Sequence, residues 1–539
     1  MKSIIEGIPK KRISLYVLVL IIMLDGIIRV GLLGVPLERD EGEYAYAGQL
    51  ILQGVPPYQE VFNMKLPGIY AAYAFFMAIL GQTHQGIHLA LLIVNAITII
   101  LIYFLAKHIV NQPCALISAA GFAVLSLGQS VQGVYAHAEH FVIMFAMGGL
   151  LLMLRGLATE NPVKLFLAGV LLCLGFMMKQ HGIAFIALAL VYIAYDSLRK
   201  RPILWRELMM RLFTVAGGVL TVLAILCMIM IWTGVFSAFR FWTIDYASTY
   251  ITQIPINKAW SIFITSFKPI VFSAPLLWIL VGAGFLALAK ESGITRPYKF
   301  FLLIFAVFSI LSICPGFYFR GHYFVLLLPW AGVFAGITIY VLIDFISKFS
   351  SREIIRYGAP VLLVAICLFQ SIYKQRDYLF NMTYFQISRS TCWLNPFHES
   401  LNIAEFLKGH TGPEDRIAIF GSEPQIFFYS KRRSASSYIY MYPMMEKHDF
   451  ALSMQKDFIK NVEATNPKYI LYVNVPTSWL MTKNSHKIVL EWLDNYLQKG
   501  QTRLVGLVEL SDEKSSYYWY PDVKWPATSK YWVAIFERR

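Results

Sequence analysis

Long apolar segments separated by short polar loops run through the first 375 residues of the chain. A helix needs about 20 mostly apolar residues to cross a bilayer, because the hydrocarbon core is about 30 Å thick and each residue adds about 1.5 Å. Eleven segments meet or approach this length, and we predict that each spans the membrane: residues 14–34, 86–106, 114–130, 140–156, 163–178, 181–197, 212–233, 268–289, 299–315, 322–345 and 357–374.

A further apolar segment, residues 66–81, decides the predicted topology. If it crossed the membrane, the basic loops 107–113 and 198–211 would lie outside, whereas Lys and Arg in short loops are retained in the cytoplasm. We therefore predict a juxtamembrane helix at 66–81 within a long first external loop, 35–85. The amino terminus is then inside and the carboxyl end outside. A twelfth span with an unusual topology is the alternative.

The pattern changes after residue 375. Short apolar runs typical of strands occur at 416–421, 469–474 and 531–536, and helical periodicity lies between them at about 448–465 and 486–498. We predict an α-helical polytopic membrane protein with a transmembrane domain, residues 1–375, and a carboxyl-terminal extracytoplasmic α/β domain, residues 376–539.

Composition supports the membrane assignment and excludes several classes. Hydrophobic residues make up 57% of the chain and charged residues 15%, whereas soluble domains carry roughly 25% charge. A soluble enzyme, a disordered scaffold and a disulfide-rich secreted domain are excluded. Most of the net charge of +15 lies in the short loops of residues 1–375, so it reflects membrane insertion and not a nucleic-acid partner.

Acidic residues open the first external loop. Asp40, Glu41 and Glu43 follow Arg39 within a few residues of an apolar segment. Carboxylates near the hydrocarbon boundary are costly and are usually functional. A helix that begins near Asp40 would also accept acids in its first turn because of its dipole, so a capped interfacial helix is the alternative reading.

Basic residues recur at other predicted external positions. Lys65 precedes Pro67, which suits the first turn of a helix, and a cation there favours either an anionic ligand or contact with lipid phosphates. Lys179 lies at an external turn, and another external turn holds a segment with a cation, an imidazole and a phenol: Arg320, His322 and Tyr323. Each could also be an ordinary membrane-interface anchor.

The second external loop contains His137, Glu139 and His140. Two histidines and a carboxylate could hold a metal ion, but they lack the i, i+4 spacing of a helical zinc pair and have no cysteine nearby. A divalent metal is therefore possible but not expected to be required, and no other cofactor is indicated. Acids and bases on one membrane face suit a phosphate-bearing lipid and a hydroxyl acceptor, with bases on the phosphate and a carboxylate on the proton.

These motifs, in this order, resemble the GT-C superfamily of lipid-phosphate-dependent glycosyltransferases. The chain is most similar to bacterial members of glycosyltransferase family 39, including protein O-mannosyltransferases and lipid A aminoarabinose transferases. The resemblance rests on residues 39–45, 65–68 and 320–323 with Glu139 and Lys179, and on the segment 416–433. One departure is Gly68, where a second proline often follows.

The resemblance implies roles for individual residues. Asp40 would be the catalytic base, supported by Glu41, with Glu139 as the second acid of the family pattern. The donor phosphate would be bound by Lys65, Lys179, Arg320, His322 and Tyr323. Further support would come from Arg39, Glu43, His137 and His140.

We therefore expect a multi-pass glycosyltransferase of the plasma (inner) membrane. It would move a sugar from a polyprenyl monophosphate to a hydroxyl of a glycan, lipid or protein on the outer face. Three alternatives stay open: a transporter or flippase of a lipid-linked sugar, a non-catalytic scaffold for polysaccharide assembly, and a metal-dependent transferase that uses pyrophosphate-linked donors.

Overall fold

The computed structural model describes residues 10–200, 202–289 and 293–539. These residues form two compact units. The first contains the described chain up to Leu33 with His88–Ile229 and Ile254–Asn381, and the second contains Gly34–Ile87, Met230–Gln253 and Met382–Arg539. The predicted cytoplasmic amino end falls on residues 1–9, which lie outside the described residues.

Apolar α-helices dominate the described chain between residues 10 and 381. They are Lys10–Gly31, His84–Ile109, Gln112–Ser126, Ala138–Ala158, Pro162–Met178, Ile183–Leu198, Trp205–Trp232, Ile256–Ser273, Pro275–Ala289, Arg296–Ser312, Leu328–Ser347 and Glu353–Lys374. Short 3₁₀ turns lie at Gln129–Val131, Gln180–Gly182, Pro315–Phe317 and Gly321–Leu327, and a π turn at Asp377–Asn381.

Seven of the described helices are long and apolar enough to cross a membrane, and an eighth is added if a bent pair counts as one span. The prediction of a polytopic helical membrane protein is confirmed. Several predicted spans form shorter helices, among them Gln112–Ser126 with 15 residues and Pro162–Met178 with 17. These two each begin at an asparagine cap with a proline in the first turn, so their starts are fixed by local sequence.

The predicted span 268–289 is broken. Helix Ile256–Ser273 is capped by Ala274, and helix Pro275–Ala289 follows at an angle of 107° to it. Pro275 has no N–H to donate and disfavours helical backbone at the residue before it. Ala274 accordingly has φ −141° and ψ 54°.

An ion pair inside the first helix attaches it to the rest of its unit. Arg29 Nε donates to Asp25 Oδ2 at 3.0 Å, and both side chains are buried. The guanidinium also donates to Gly133 O at 2.9 Å and to Ser126 Oγ at 2.9 Å. The helix is otherwise mostly exposed, since only 22% of its most apolar 18-residue stretch is buried. These polar contacts therefore provide much of its attachment to the first unit.

The second unit contains twelve described helices, two of which lie within residues 35–85, the loop that the sequence predicts to be external. The acidic helix is Arg39–Leu52 and the Pro67 helix is Pro67–Leu80, whose 14 residues span about 21 Å, less than the hydrocarbon core. The others are Phe236–Arg240, the π segment Phe241–Tyr246, Ala247–Ile251, Tyr384–Cys392, Glu399–His410, Pro424–Ser430, Tyr442–Met445, Ala451–Thr465, Pro476–Trp479 and Ile488–Gln498.

The tail, Met382–Arg539, folds around a six-stranded sheet, which confirms the predicted α/β character. Its strands, in the order β2-β1-β3-β6-β4-β5, are β1 Arg416–Phe420, β2 Arg433–Ser434, β3 Tyr469–Asn474, β4 Thr502–Glu509, β5 Ser516–Trp519 and β6 Trp532–Arg538. Strands β2, β1 and β3 are parallel, and the remaining pairs are antiparallel. The sequence predicted β1, β3 and β6 but missed the other three.

Glycine lets the acidic helix approach the tail closely. A Cβ on Gly42 would lie 2.6 Å from the backbone N of Gln425, at the start of helix Pro424–Ser430. No side chain fits in that space without a backbone shift. The acidic helix and the tail therefore belong to one packed unit, although nearly 400 residues separate them.

Candidate functional site

The acidic helix begins with a reciprocal cap. Glu41 N donates to Glu38 Oε1 at 2.8 Å, and Glu38 N donates to Glu41 Oε2 at 3.2 Å. This is a capping box, which satisfies two backbone donors that a helix start leaves without partners. Glu41 is fully buried. The residue predicted to support the base thus holds the start of the helix that carries Asp40.

A lysine bridges the other two acids of this helix. Lys65 Nζ donates to Asp40 Oδ1 and to Glu43 Oε2, both at 2.8 Å. Glu43 Oε1 accepts a further bond from Tyr70 OH at 2.5 Å. The Asp40 side chain is 16% exposed, whereas that of Glu43 is 0% exposed. Only Asp40, of these two, can meet a substrate hydroxyl without rearrangement.

The electrostatics of this cluster follow from burial and from close charges. Burial raises the pKa of Glu43, and Lys65 opposes the rise. Burial alone would lower the pKa of Lys65, but Asp40 and Glu43 raise it above its ordinary value. Lys65 therefore stays cationic at neutral pH. Burial, together with the charges of Asp40 and Glu41, raises the pKa of Glu38 to about 8.

Arg39 points into the tail. Its Nε donates to Ser422 O at 2.5 Å, and its Nη2 donates to Asn395 Oδ1 at 2.8 Å and to Glu423 Oε1 at 3.1 Å. The guanidinium also lies 5.3 Å from the ring centroid of Tyr442. Sequence reasoning did not single out Glu423 as a partner, because no local spacing links it to Arg39.

In the first unit, Glu139 and Lys179 form a pair. Glu139 lies in the first turn of helix Ala138–Ala158, and Lys179 Nζ donates to its Oε1 at 2.5 Å. Oε2 of Glu139 is buried and has no hydrogen-bond partner among the described residues. The Lys179 ammonium lies 4.2 Å from the ring centroid of Tyr323. A cation held by an acid and an aromatic face is suited to binding an anion.

Two histidines of this unit face each other. His137 Nε2 lies 3.2 Å from His322 Nδ1, and Gln132 Oε1 lies 3.0 Å from the first nitrogen and 3.2 Å from the second. Zinc–nitrogen bonds of about 2.0–2.1 Å in a tetrahedral site place two ligand nitrogens about 3.3 Å apart. The pair therefore fits a divalent cation. Gln132 was missed from sequence, since a lone loop glutamine gives no signal.

Two predicted residues have other surroundings. His140 is buried, and its Nδ1 lies 3.3 Å from Asn95 Oδ1. The Arg320 guanidinium lies 5.6 Å from the ring centroid of Tyr318. The second unit thus brings together Arg39, Asp40, Glu41, Glu43 and Lys65, and the first unit brings together Glu139, Lys179 and Tyr323, with His137 beside His322.

Comparison with protein families gives one match. The profile of the family described as dolichyl-phosphate-mannose-protein mannosyltransferase matches residues 65–232. This range contains Lys65, Glu139 and Lys179 but ends before Arg320. Among curated proteins, none matches the sequence.

Solved structures share the fold over almost the whole chain. ArnT from Cupriavidus metallidurans, bound to undecaprenyl phosphate, is 14% identical with a TM-score of 0.60, and the match covers 96% of this chain and 97% of that one. The oligosaccharyltransferase AglB from Archaeoglobus fulgidus, with an inhibitory peptide and a dolichol-phosphate, is 13% identical with a TM-score of 0.56, covering 96% and 75%.

Two more structures extend this comparison. The Archaeoglobus fulgidus oligosaccharyltransferase in complex with Zn and sulfate is 10% identical with a TM-score of 0.53, covering 92% of this chain and 72% of that one. The mycobacterial arabinofuranosyltransferase AftD is 11% identical with a TM-score of 0.53, covering 97% and 40%. The GT-C fold predicted from the sequence motifs is confirmed.

Proposed function

We propose that this chain is a membrane glycosyltransferase that transfers a sugar from a polyprenyl monophosphate to a hydroxyl of a glycan, lipid or protein acceptor. The observation that carries the proposal is the cluster in which a partly exposed Asp40 shares Lys65 with a buried Glu43. The family match and the fold support it. So do the undecaprenyl phosphate bound by ArnT and the dolichol-phosphate bound by AglB.

In the proposed reaction, Asp40 accepts the proton of the acceptor hydroxyl as its oxygen bonds to the anomeric carbon of the sugar. The bond from that carbon to the phosphate oxygen breaks, and polyprenyl phosphate leaves with the electron pair. A one-step displacement of this kind inverts the anomeric centre. Lys65 stays cationic between two carboxylates, and it offers charge to the leaving phosphate.

The other sequence assignments remain part of the proposal. Lys179, Arg320, His322 and Tyr323 are proposed contacts of the donor phosphate, and Glu139 is the proposed second acid, held by Lys179. We further propose that residues 1–375 form the transferase domain in the plasma (inner) membrane and residues 376–539 an extracytoplasmic domain. The reaction would then occur on the outer face.

The test is a transfer assay on the purified full-length chain, with radiolabelled sugars on synthetic polyprenyl phosphates and a membrane extract as acceptor. Wild type should consume donor, and Asp40→Asn should lose at least about a hundredfold of that rate, the usual contribution of a positioned base. Asp512→Asn, an exposed tail residue, is the matched control and should match wild type. Donor binding without turnover across a broad panel would favour the transporter or the scaffold instead.

A second candidate is a metal-dependent transferase that acts on pyrophosphate-linked donors. It is favoured by the 3.2 Å approach of His137 Nε2 to His322 Nδ1 and by the Zn in one Archaeoglobus oligosaccharyltransferase structure. A bound divalent ion would neutralise the pyrophosphate that leaves. Chelator treatment, followed by titration with Mn²⁺ or Zn²⁺, separates the two. Metal-dependent turnover of pyrophosphate donors that is lost in His137→Ala would establish the second candidate.

A further inference from the structure

We propose that Glu423 of the tail is a positioning residue for Asp40, resting on the function proposed above. It holds the Arg39 side chain inside the tail, and so fixes the first turn of the acidic helix and keeps the Arg39 cation away from the candidate base. The tail is thereby a working part of the site, although its own residues need not touch the substrate.

Glu423 is itself rigidly held. Its side chain is completely buried, with Oε1 accepting from Arg39 at 3.1 Å and Oε2 accepting from Ser478 Oγ at 2.8 Å. Ser478 Oγ also accepts from Ser422 N at 2.8 Å, and Ser422 Oγ donates to Ser478 O at 2.6 Å. Both carboxylate oxygens therefore have partners, and the hydroxyl that orients Glu423 is fixed by the backbone.

The Arg39 side chain is held by several residues of the tail. Besides Glu423, its guanidinium donates to Ser422 O and Asn395 Oδ1, and it lies 5.3 Å from the ring centroids of both Phe397 and Tyr442. An arginine clamped by acceptors and aromatic faces retains little freedom. The side chain next to Asp40 in sequence is therefore directed away from it.

The backbone around Asp40 is fixed by the same surface. Tyr440 OH donates to Arg39 O at 2.9 Å and lies 3.5 Å from Asp40 Oδ1. Gly42, two residues on, packs against the backbone of Gln425. Tyr440, Gln425 and Glu423 of the tail thus set the rotation of the first helical turn, and this rotation decides whether the Asp40 carboxylate reaches Lys65.

The charge of Glu423 is the second reason why we assign it a positioning role for Asp40. Removing one partner of a buried ion pair leaves the other charge uncompensated, which is strongly destabilising unless the charge finds a new partner. Glu38 and Asp40 flank Arg39 in the chain. An Arg39 released from Glu423 would pair with one of them, and a pair with Asp40 would occupy an oxygen that the acceptor hydroxyl needs.

A buried ion pair elsewhere in the tail supplies a matched control. Glu399 is also fully buried, and it accepts from Arg389 and from Ser515 Oγ, both of which belong to the tail. Arg389 donates to Asn395 O, so this pair touches the same loop that holds Arg39. Glu399→Gln therefore reports general damage to the tail, including this loop, while it removes none of the direct acceptors of Arg39.

The experiment compares full-length wild type, Glu423→Gln, Glu423→Asp and Glu399→Gln in the transfer assay and in thermal unfolding. We expect Glu423→Gln to lower kcat about tenfold or more with donor KM within about twofold, and Glu423→Asp to recover part of the loss. Glu399→Gln should lower Tm comparably while keeping kcat within about twofold. Equal loss of kcat in both Gln variants, or wild-type kcat in Glu423→Gln, would overturn the proposal.

Two additions keep the outcome decisive. If Glu423→Gln does not fold, Ser478→Ala removes the bond that orients Glu423 and should lower kcat in the same direction by a smaller factor. If wild type shows no turnover, the proposed function fails, and hydrogen exchange of residues 38–45 then tests the clamp alone. Faster exchange in Glu423→Gln but not in Glu399→Gln supports the clamp, and equal exchange refutes it.

Discussion

Asp40, Glu41 and Glu43 lie within four positions of one another, yet each carboxylate meets a different environment. Glu41 accepts from the backbone at the helix start, Glu43 is buried against Tyr70 and Lys65, and Asp40 is partly exposed. The sequence predicted an acidic cluster and placed Asp40 first by resemblance. It could not separate the three by physics, because the exposed acid depends on the rotation and packing of the helix.

Because Glu43 is buried and Asp40 is partly exposed, we predict that substitution of Glu43 mainly lowers stability, whereas substitution of Asp40 mainly lowers activity. Glu43→Gln removes one of two carboxylates from a buried ammonium, so we expect Tm to fall by several degrees. Asp40→Asn should abolish transfer while shifting Tm by less, because its side chain is partly exposed. Thermal unfolding and transfer rates of both variants check this. An equal Tm loss in both would contradict the assignment.

Glu38 predicts a pH-dependent stability. Its pKa is raised to about 8 in the folded protein, so between about pH 4.5 and 8 the folded state holds a proton that the unfolded chain has lost. Stability then falls as pH rises through this window. In Glu38→Gln, whose amide oxygen can still cap the helix, Tm should rise relative to wild type from pH 5 to pH 8. A constant difference would show that Glu38 does not titrate there.

At the scale of elements, the contact between the acidic helix and the tail depends on a missing side chain. Gly42→Ala places a Cβ 2.6 Å from the backbone N of Gln425, so we expect a loss of about 1–3 kcal/mol of stability. Gly409→Ala is the control, because nothing lies within 4 Å of its Cβ position. Unfolding measurements on both variants check this, and equal stability of the two would refute the close approach.

The first helix gives a second prediction at this scale. Arg29→Gln leaves Asp25 buried without its cation, which should cost about 3–5 kcal/mol. The double variant Asp25→Asn/Arg29→Gln should lose less than that single variant, because no lone charge remains. Arg12→Gln, at an exposed position of the same helix, should be neutral. Unfolding in detergent measures all three, and additive losses would argue against a coupled pair.

Hydrophobic patterning predicted the long helices well because each carries its own signal. It missed the break at Ala274, since Pro275 lies inside an apolar run that looks continuous. It also missed the short strand β2, the partly exposed β5, and β4, where the register shifts between Leu504 and Gly506. Such strands depend on their neighbours in the sheet more than on their own alternation.

At the scale of the whole molecule, the predicted topology can be tested with cysteines. Lys514→Cys in a Cys392→Ser background should react with a membrane-impermeant maleimide in intact cells, because residues 376–539 are proposed to lie outside. Lys348→Cys is also exposed but lies between the tenth and eleventh predicted spans, which the predicted topology puts inside, so it should react only after the membrane is opened. Reversed labelling would overturn the orientation.

The composition of the two units was not predictable from the sequence. The second unit joins Gly34–Ile87 and Met230–Gln253 to the tail, whereas patterning placed both segments in the predicted transmembrane domain, residues 1–375. Contacts such as Arg39 with Glu423 or Gly42 with Gln425 arise from tertiary packing. Local periodicity carries no record of them. The helical membrane class was therefore predictable, whereas the number of spans (eleven predicted, against seven described helices long enough, or eight with the bent pair) and the partners of the acidic helix were not.

The position of β6 has a consequence for biogenesis. It lies between β3 and β4, so each of these two strands lacks one of its two neighbours until Trp532–Arg538 has left the ribosome. Arg39 precedes Glu423 by 384 residues, and synthesis at about 5–20 residues per second makes the acidic helix wait roughly 20–80 s for its partner. During that interval the Arg39 cation lacks its partner, and β3 and β4, once made, keep open strand edges until β6 follows; chaperones and proteases of the receiving compartment can recognise such edges.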